Sequence, residues 1–168
     1  MRLRELTRGD LPTLNIWRND PVLVAGLGAG FAFIAPEVDA AWFDAYLKQR
    51  DRNVRLAIED DDGRFVGCAY LLGISWIHRS AEFAIMIGDK DRWGKGLATQ
   101  ATQGTLRHAF DDLQLHRVWL TVNADNDRAK RLYERCGFKH EGTFRSAVFK
   151  SGEYIDVHVM AVLAHERG

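Results

Sequence analysis

Cysteine and uncompensated charge are scarce in this 168-residue chain, long apolar runs are missing, and each shortage excludes something. Two cysteines, Cys68 and Cys136, cannot make the disulfide framework that staples small secreted domains. The six histidines are scattered, with neither a His-x-x-x-His helical pair nor a Cys-x-x-Cys, so no metal site is expected. Lys plus Arg and Asp plus Glu each number 23, so the formal net charge is zero. No basic excess points to nucleic acid, and no block of like charge points to a solvated tail. No apolar run approaches the ~20 residues of a membrane span, and no secretory signal is read at the start. Cytoplasmic residence without membrane contact is the expectation. No repeat, linker or low-complexity tract interrupts the chain, which suits one domain over residues 1–168.

What the chain does have is a glycine-punctuated join. Ile85-Met86-Ile87-Gly88 reads as a strand, and Asp91-Arg92-Trp93-Gly94-Lys95-Gly96-Leu97-Ala98-Thr99 turns it into a helix. A helix start of this kind offers free N–H groups and the positive end of the helix dipole to an anion. Gly94 and Gly96 let backbone approach a bulky phosphate, and Arg92 and Lys95 add charge. Taken alone, the same residues also suit a loop that needs flexible glycines. Neither the Walker pattern nor the Gly-x-Gly-x-x-Gly dinucleotide fingerprint is present, so a nucleoside triphosphate or a nicotinamide is not the expected ligand.

A second strand-turn-helix follows. Arg117 to Val122 is apolar and branched, and Asp125 or Asn126 can cap a helix on which Ala129, Leu132, Tyr133 and Cys136 share one face. Gly137 is placed to end that helix in a left-handed conformation, with Phe138 packing back on it. Cys136 on this face reads as packing, not as a nucleophile.

These two segments resemble the signature regions of the GNAT superfamily of acyl-CoA-dependent N-acetyltransferases. Trp93 to Ala98 matches the pattern Gln/Arg-x-x-Gly-x-Gly/Ala except at its first position, where Trp93 stands. Asn126 to Phe138 matches Asn-x-x-Ala-x-x-Leu-Tyr-Glu-x-x-Gly-Phe throughout. The likeness runs from about Arg2 to the end and is strongest to the branch of ribosomal-protein-alanine and spermidine N-acetyltransferases. It implies an α/β fold with a mixed, strongly bent central sheet, helices on both faces, and a splayed strand pair that takes up acyl-CoA. It also implies an enzyme with acetyl-CoA as cosubstrate, which acetylates a primary amine by direct attack in a ternary complex.

The resemblance implies site residues too. Ile85, Met86 and Ile87 would meet the pantetheine arm. Arg92, Trp93, Gly94, Lys95, Gly96, Leu97, Ala98 and Thr99 would cradle the pyrophosphate. Asn123, Asn126, Arg128, Ala129 and Arg131 would contact the cofactor from the second segment, although Asn126 also reads as a plain helix cap and the two arginines as solvated charge. Tyr133 is the candidate acid for the leaving thiolate, or else a core tyrosine. Glu82 is the candidate base or amine contact, or else an exposed strand acid or a salt-bridge partner.

The acceptor is left open. His78 to Phe83, Glu141-Gly142 and Gly152-Glu153-Tyr154 look like the spermidine enzymes, but Val22 to Phe33 carries no acid to hold a polycation. This favours a small monoamine, such as an amino sugar, over a polyamine or a protein N-terminus. Trp17, Phe31, Trp42, Trp76, His78 and Glu82 are the candidate acceptor contacts, with Trp17, Trp42, Trp76 and His78 suiting core packing equally well. A homodimer and a non-catalytic CoA-binding module stay open. Around the signatures, a first strand is expected over Arg2 to Leu6 and helices over Leu11 to Arg18 and Glu37 to Lys48, the latter with Val38, Trp42, Ala45 and Tyr46 inward. Hairpins are expected at Asp60–Gly63, its acids solvated, and at Ser151-Gly152. Pro21 to Pro36 lacks periodicity and suits a buried loop, a distorted helix or a substrate-facing lid.

Overall fold

Seven strands lie in one sheet in the order β1-β2-β3-β4-β5-β7-β6. The computed structural model describes residues 1–28 and 30–166. Ala29, inside the Pro21–Pro36 segment, and the last two residues of the expected 1–168 domain lie outside the described residues. The strands are β1 (Arg2–Glu5), β2 (Val54–Glu59), β3 (Phe65–Ser75), β4 (Ser80–Ile87), β5 (Arg117–Asn123), β6 (Lys139–Lys150) and β7 (Glu153–Leu163). The helices are α1 (Leu11–Arg18), α2 (Pro21–Ala25), α3 (Pro36–Leu47), α4 (Leu97–Arg107) and α5 (Asp127–Arg135). All neighbouring strands are antiparallel except β4 and β5, whose parallel pairing needs the α4 crossover between them.

Strand alternation splits the core in two. Ala69 and Leu71 of β3, Phe83 of β4 and Leu120 of β5 join the cluster under α4 and α5. Ala57 of β2 and Cys68 of β3 project to the other face, with Leu14 and Trp17 of α1 and Phe43 and Tyr46 of α3. The stripe on α3 differs from the expected one. Val38 and Ala45 are exposed, whereas Asp39, Phe43 and Tyr46 are buried at i, i+4, i+7 spacing. A polar contact sets this phase: Asp39 accepts from Asn15 Nδ2 at 2.6 Å and is ion-paired with Arg18. Asp60, expected to be solvated, is also buried; it accepts from the N–H groups of Asp62 and Arg64 and pairs with Arg92.

The Pro21–Pro36 segment divides. Asp20 caps α2 by accepting from Val22 N and Leu23 N, and Leu23 and Val24 are buried. Beyond it, Phe31 and Phe33 stack edge to face but stay exposed, and Asn19 exchanges two hydrogen bonds with the backbone of Ile34.

The feature that positions the site is the parting of two strands. β4 and β5 pair at Ser80–Arg117, Ala81–Val118 and Glu82–Trp119, and no further pair forms among the described residues. Beyond Glu82, β4 stays bonded to β3 as far as Ile87, and β5 stays bonded to β7 as far as Asn123. A gap therefore opens within the sheet, as the splayed pair required.

Candidate active site

The gap widens into a cleft of about 910 Å³, bounded by the C-terminal half of β4, the start of α4, β5, α5 and the Gly26–Gly28 stretch. At its α4 end, Gly94 and Gly96 have φ of +78° and +79°. A Cβ at Gly94 would meet nothing within 4 Å, and at Gly96 only Gln100 Nε2 at 3.9 Å. Glycine is needed there for the left-handed backbone and for open space, not because of crowding. Gly96 is the N-cap of α4 and brings no side-chain cap, so the N–H groups of the first turn lie uncapped at the cleft. This suits a pyrophosphate.

The cations near this turn differ in availability. Lys95 is exposed and has no ion pair among the described residues. Arg92 lines the cleft but is held by Asp60 at 2.6 Å and Asp62 at 3.4 Å. Trp93 donates from Nε1 to the Ile87 carbonyl at 2.9 Å, and Arg128 lies 5.5 Å from its ring centroid. The residue that departs from the family pattern thus ties the turn to the end of β4.

Glu82 and Tyr133 reach the gap from opposite sides. Tyr133 is buried in α5, edge to face with Phe83 at 6.3 Å, on the α4/α5 side of the sheet. Its hydroxyl makes no hydrogen bond among the described residues, so the cleft is its outlet. Burial pushes its pKa up to about 12. Glu82 alternates with Phe83 and so projects to the other face, where it has neither an ion pair nor a hydrogen bond among the described residues. Burial raises its pKa above the ordinary value of 4.5. A carboxyl of raised pKa is a better proton acceptor, and a phenol that stays protonated is a standing donor.

On the β5 side, Asn126 caps α5 by accepting from Ala129 N at 3.1 Å, and donates to the Gly26 carbonyl at 3.2 Å. Asn123 donates to the Leu27 carbonyl at 3.3 Å, while its own Oδ1 is buried and unpaired. An amide N–H of a pantetheine arm would satisfy that oxygen.

The structure therefore brings together at one cleft Tyr133, Glu82, Ile85, Met86, Ile87, Arg92, Trp93, Gly94, Gly96, Leu97, Ala98, Thr99, Asn123, Asn126, Arg128, Ala129 and Trp42. Lys95 stands at its edge, and exposed Arg131 is not part of its lining. The other acceptor candidates lie elsewhere. Trp17 is in the core, stacked on Phe65 at 4.7 Å. Exposed Trp76 donates to the Asp51 carbonyl at 2.8 Å, and His78 and Phe31 are exposed on loops outside the lining.

Sequence reasoning missed Arg55 and Tyr70. They stand opposite each other on β2 and β3, and Arg55 lies 4.4 Å from the ring centroid of Trp42, 4.8 Å from Tyr70 and 5.5 Å from Tyr46. The Arg55 guanidinium has no ion pair or hydrogen bond among the described residues, and its Nε is buried and unsatisfied. Burial pulls its pKa below the usual guanidinium value. The available signal was phase: two residues apart on a strand, Arg55 shares a face with Ala57, and Tyr70 with Cys68, both inward-facing core residues.

Comparison with known proteins gives a consistent result. Residues 1–139 match the family profile described as acetyltransferase (GNAT) domain. The spermidine N(1)-acetyltransferase of Vibrio cholerae serotype O1 is 34% identical over 166 residues, which cover 97% of this chain and 92% of that protein. The spermidine N(1)-acetyltransferase of Escherichia coli K12 is 30% identical over 168 residues, covering 99% and 87%. The crystal structure of spermidine N-acetyltransferase from Vibrio cholerae in complex with CoA and spermine matches with a TM-score of 0.93 at 31% identity, covering 98% of this chain and 96% of that one.

Proposed function

The chain belongs to the GNAT acetyltransferase family and is an acetyl-CoA-dependent N-acetyltransferase; from this we propose that transfer to a small-molecule primary amine takes place in the β4–β5 cleft, between Glu82 and Tyr133. The observation that carries this reading is the end of β4–β5 pairing at Glu82. Past that residue, β4 has backbone groups without β5 partners, which an extended pantetheine arm can meet as an added strand would.

Acetyl-CoA supplies the acetyl group as a thioester. The uncapped α4 turn takes the pyrophosphate, with Gly94 and Gly96 giving the approach and Lys95 the charge. Asn123 Oδ1 and the β4 backbone hold the arm. The acceptor amine arrives charged, since an alkylamine titrates near 10. Glu82, directly or through a water, takes the proton that this nitrogen must lose before it attacks the acetyl carbon. As the carbon–sulfur bond breaks, the nitrogen sheds its second proton through water to the departing sulfur, to which Tyr133 donates a hydrogen bond. Burial holds the Tyr133 phenol well above its ordinary value, so it keeps its proton and hydrogen bonding is its first role.

For the acceptor, likeness to two spermidine N(1)-acetyltransferases supports a polyamine over the amino sugar expected from the sequence. Thiol release with a panel of spermidine, glucosamine and simple monoamines, with mass detection of the product, tests both levels. Acetylated amine and stoichiometric free CoA are expected. Folded protein that binds acetyl-CoA yet acetylates no amine would leave a CoA-binding module.

A further inference from the structure

Among the described residues, the Arg55 guanidinium has no acid partner on the Glu82 side of the cleft. Five arginines and one carboxylate, Glu82, are among the described residues of the lining. Arg92 is neutralised by Asp60, and Arg18 by buried Asp39. Arg55 has no such acid. Trp42, Tyr70 and Tyr46 surround it, and aromatic faces only partly replace the water that it has lost. A polycation would have to approach this guanidinium with Glu82 as the single lining acid to hold it.

We propose that Arg55 selects an acceptor carrying a carboxylate as well as its primary amine, the carboxylate meeting the Arg55 fork while the amine reaches Glu82. The inference rests on the acetyl-transfer reading alone, and it sets the lining of this chain against the polyamine that likeness to the spermidine enzymes suggests. Planar guanidinium and carboxylate match as a bidentate pair, and the three rings hold the fork in one orientation. Arg128 and Arg135 belong to α5, across the sheet, so on the Glu82 face Arg55 is the one positive charge without an acid partner among the described lining residues, which suits a monoanionic carboxylate better than a dianionic phosphate. Sheet register puts the two determinants within reach of one small molecule. Arg55 pairs with Tyr70 and Tyr70 with Ala84, so Glu82 lies two strands across and two residues along on the same face. That is about 12 Å between Cα positions at ordinary strand spacings. Both side chains extend into the cleft, which leaves an amine-to-carboxylate span of a few bonds.

The test measures kcat/KM by thiol release for the ω-amino acids from glycine to 6-aminohexanoate, for the carboxamide of each, and for spermidine. The best amino acid should exceed both its carboxamide and spermidine by at least about tenfold, because a buried ion left unpaired penalises the analogue. Arg55→Gln should bring the carboxylate-to-carboxamide ratio to within about twofold, mostly through KM. Arg55→Lys keeps charge but loses the fork and should fall between; it also serves if the Gln variant fails to fold. Spermidine as the best acceptor, or a ratio that Arg55→Gln leaves unchanged, would overturn the proposal while acetyl transfer stands. If no amine is acetylated, calorimetry of 4-aminobutyrate with the CoA-loaded protein decides. Binding lost in Arg55→Gln keeps the carboxylate site, and absence of binding removes it.

Discussion

Glu82 on β4 stands opposite Trp119 on β5, and theirs is the last pair that the two strands make before they part. The carboxyl is therefore fixed at the vertex of the gap, while Tyr133 approaches that gap from the opposite face of β4 across the Phe83 ring. A thioester lying in the gap would have a proton acceptor on one side and a donor on the other.

Glu82→Gln should lower kcat/KM by roughly 10²-fold near neutral pH, the low end for a general base. Burial raises the Glu82 pKa, so the wild-type acid limb should lie above 4.5, with activity rising as pH passes through the raised value. The Gln variant should lose that limb and gain activity steadily toward the amine pKa near 10. Stability runs the other way. Between 4.5 and the raised value the folded state binds more protons than the unfolded state, so stability falls as pH rises through that window. Glu82→Gln removes that loss and should melt no lower than wild type at pH 7. A wild-type pH–rate profile retained in the Gln variant would assign the base elsewhere.

Tyr133→Phe should cost roughly 10–10²-fold in kcat, since water can replace a hydrogen-bond donor. The ring contacts with Phe83 and Phe138 remain, and a hydroxyl without a protein partner among the described residues is removed, so the melting temperature should hold or rise slightly. With its pKa pushed up to about 12, Tyr133 should add no basic limb below pH 10. Near-normal kcat, with chemistry shown to limit turnover, would make Tyr133 a packing residue.

The α4 turn allows a controlled comparison of two glycines. Gly96 and Gly63 both have left-handed φ, +79° and +75°, and both have room for a methyl group. Either change to Ala should cost about 1 kcal/mol in backbone strain. Gly96→Ala alone, at the uncapped helix start, should also weaken acetyl-CoA binding by about tenfold or more in calorimetry. Equal affinities for the two variants would move the pyrophosphate away from this turn.

What could be read from the chain follows from where the information lies. The glycine turn, the Asn126 cap and the Gly137 stop are local devices, each written within a few residues, and the structure keeps all of them. Acceptor-side chemistry is not local. Arg55 meets Tyr70 only through the β2–β3 register, and both meet Trp42 only because α3 is turned to bury Asp39 against Arg18. No short window contains that arrangement. Aromatic type alone does not distinguish a cleft wall, where Trp42 stands, from a core, where Trp17 stands.

Trp17 shows this last point and can be tested directly. A Cβ placed on Gly88 would lie 1.9 Å from Trp17 Cδ2, so the indole occupies the space that any side chain at position 88 would need. Trp17 is 8% exposed and stacks on Phe65, which makes it a wedge between α1 and the end of β4. Gly88→Ala should therefore destabilise by about 1–3 kcal/mol, the range for overpacking a filled core, readable as a lower urea midpoint at unchanged slope. Trp17→Leu should cost about 2–4 kcal/mol through the cavity that it leaves. Together the two changes should cost less than their sum, because the smaller side chain makes room for the methyl group and contacting residues couple. Acceptor KM should stay near wild type in folded Trp17→Leu. Strict additivity would mean that the two residues do not share this space, and a large rise in KM at retained stability would restore Trp17 to the acceptor site.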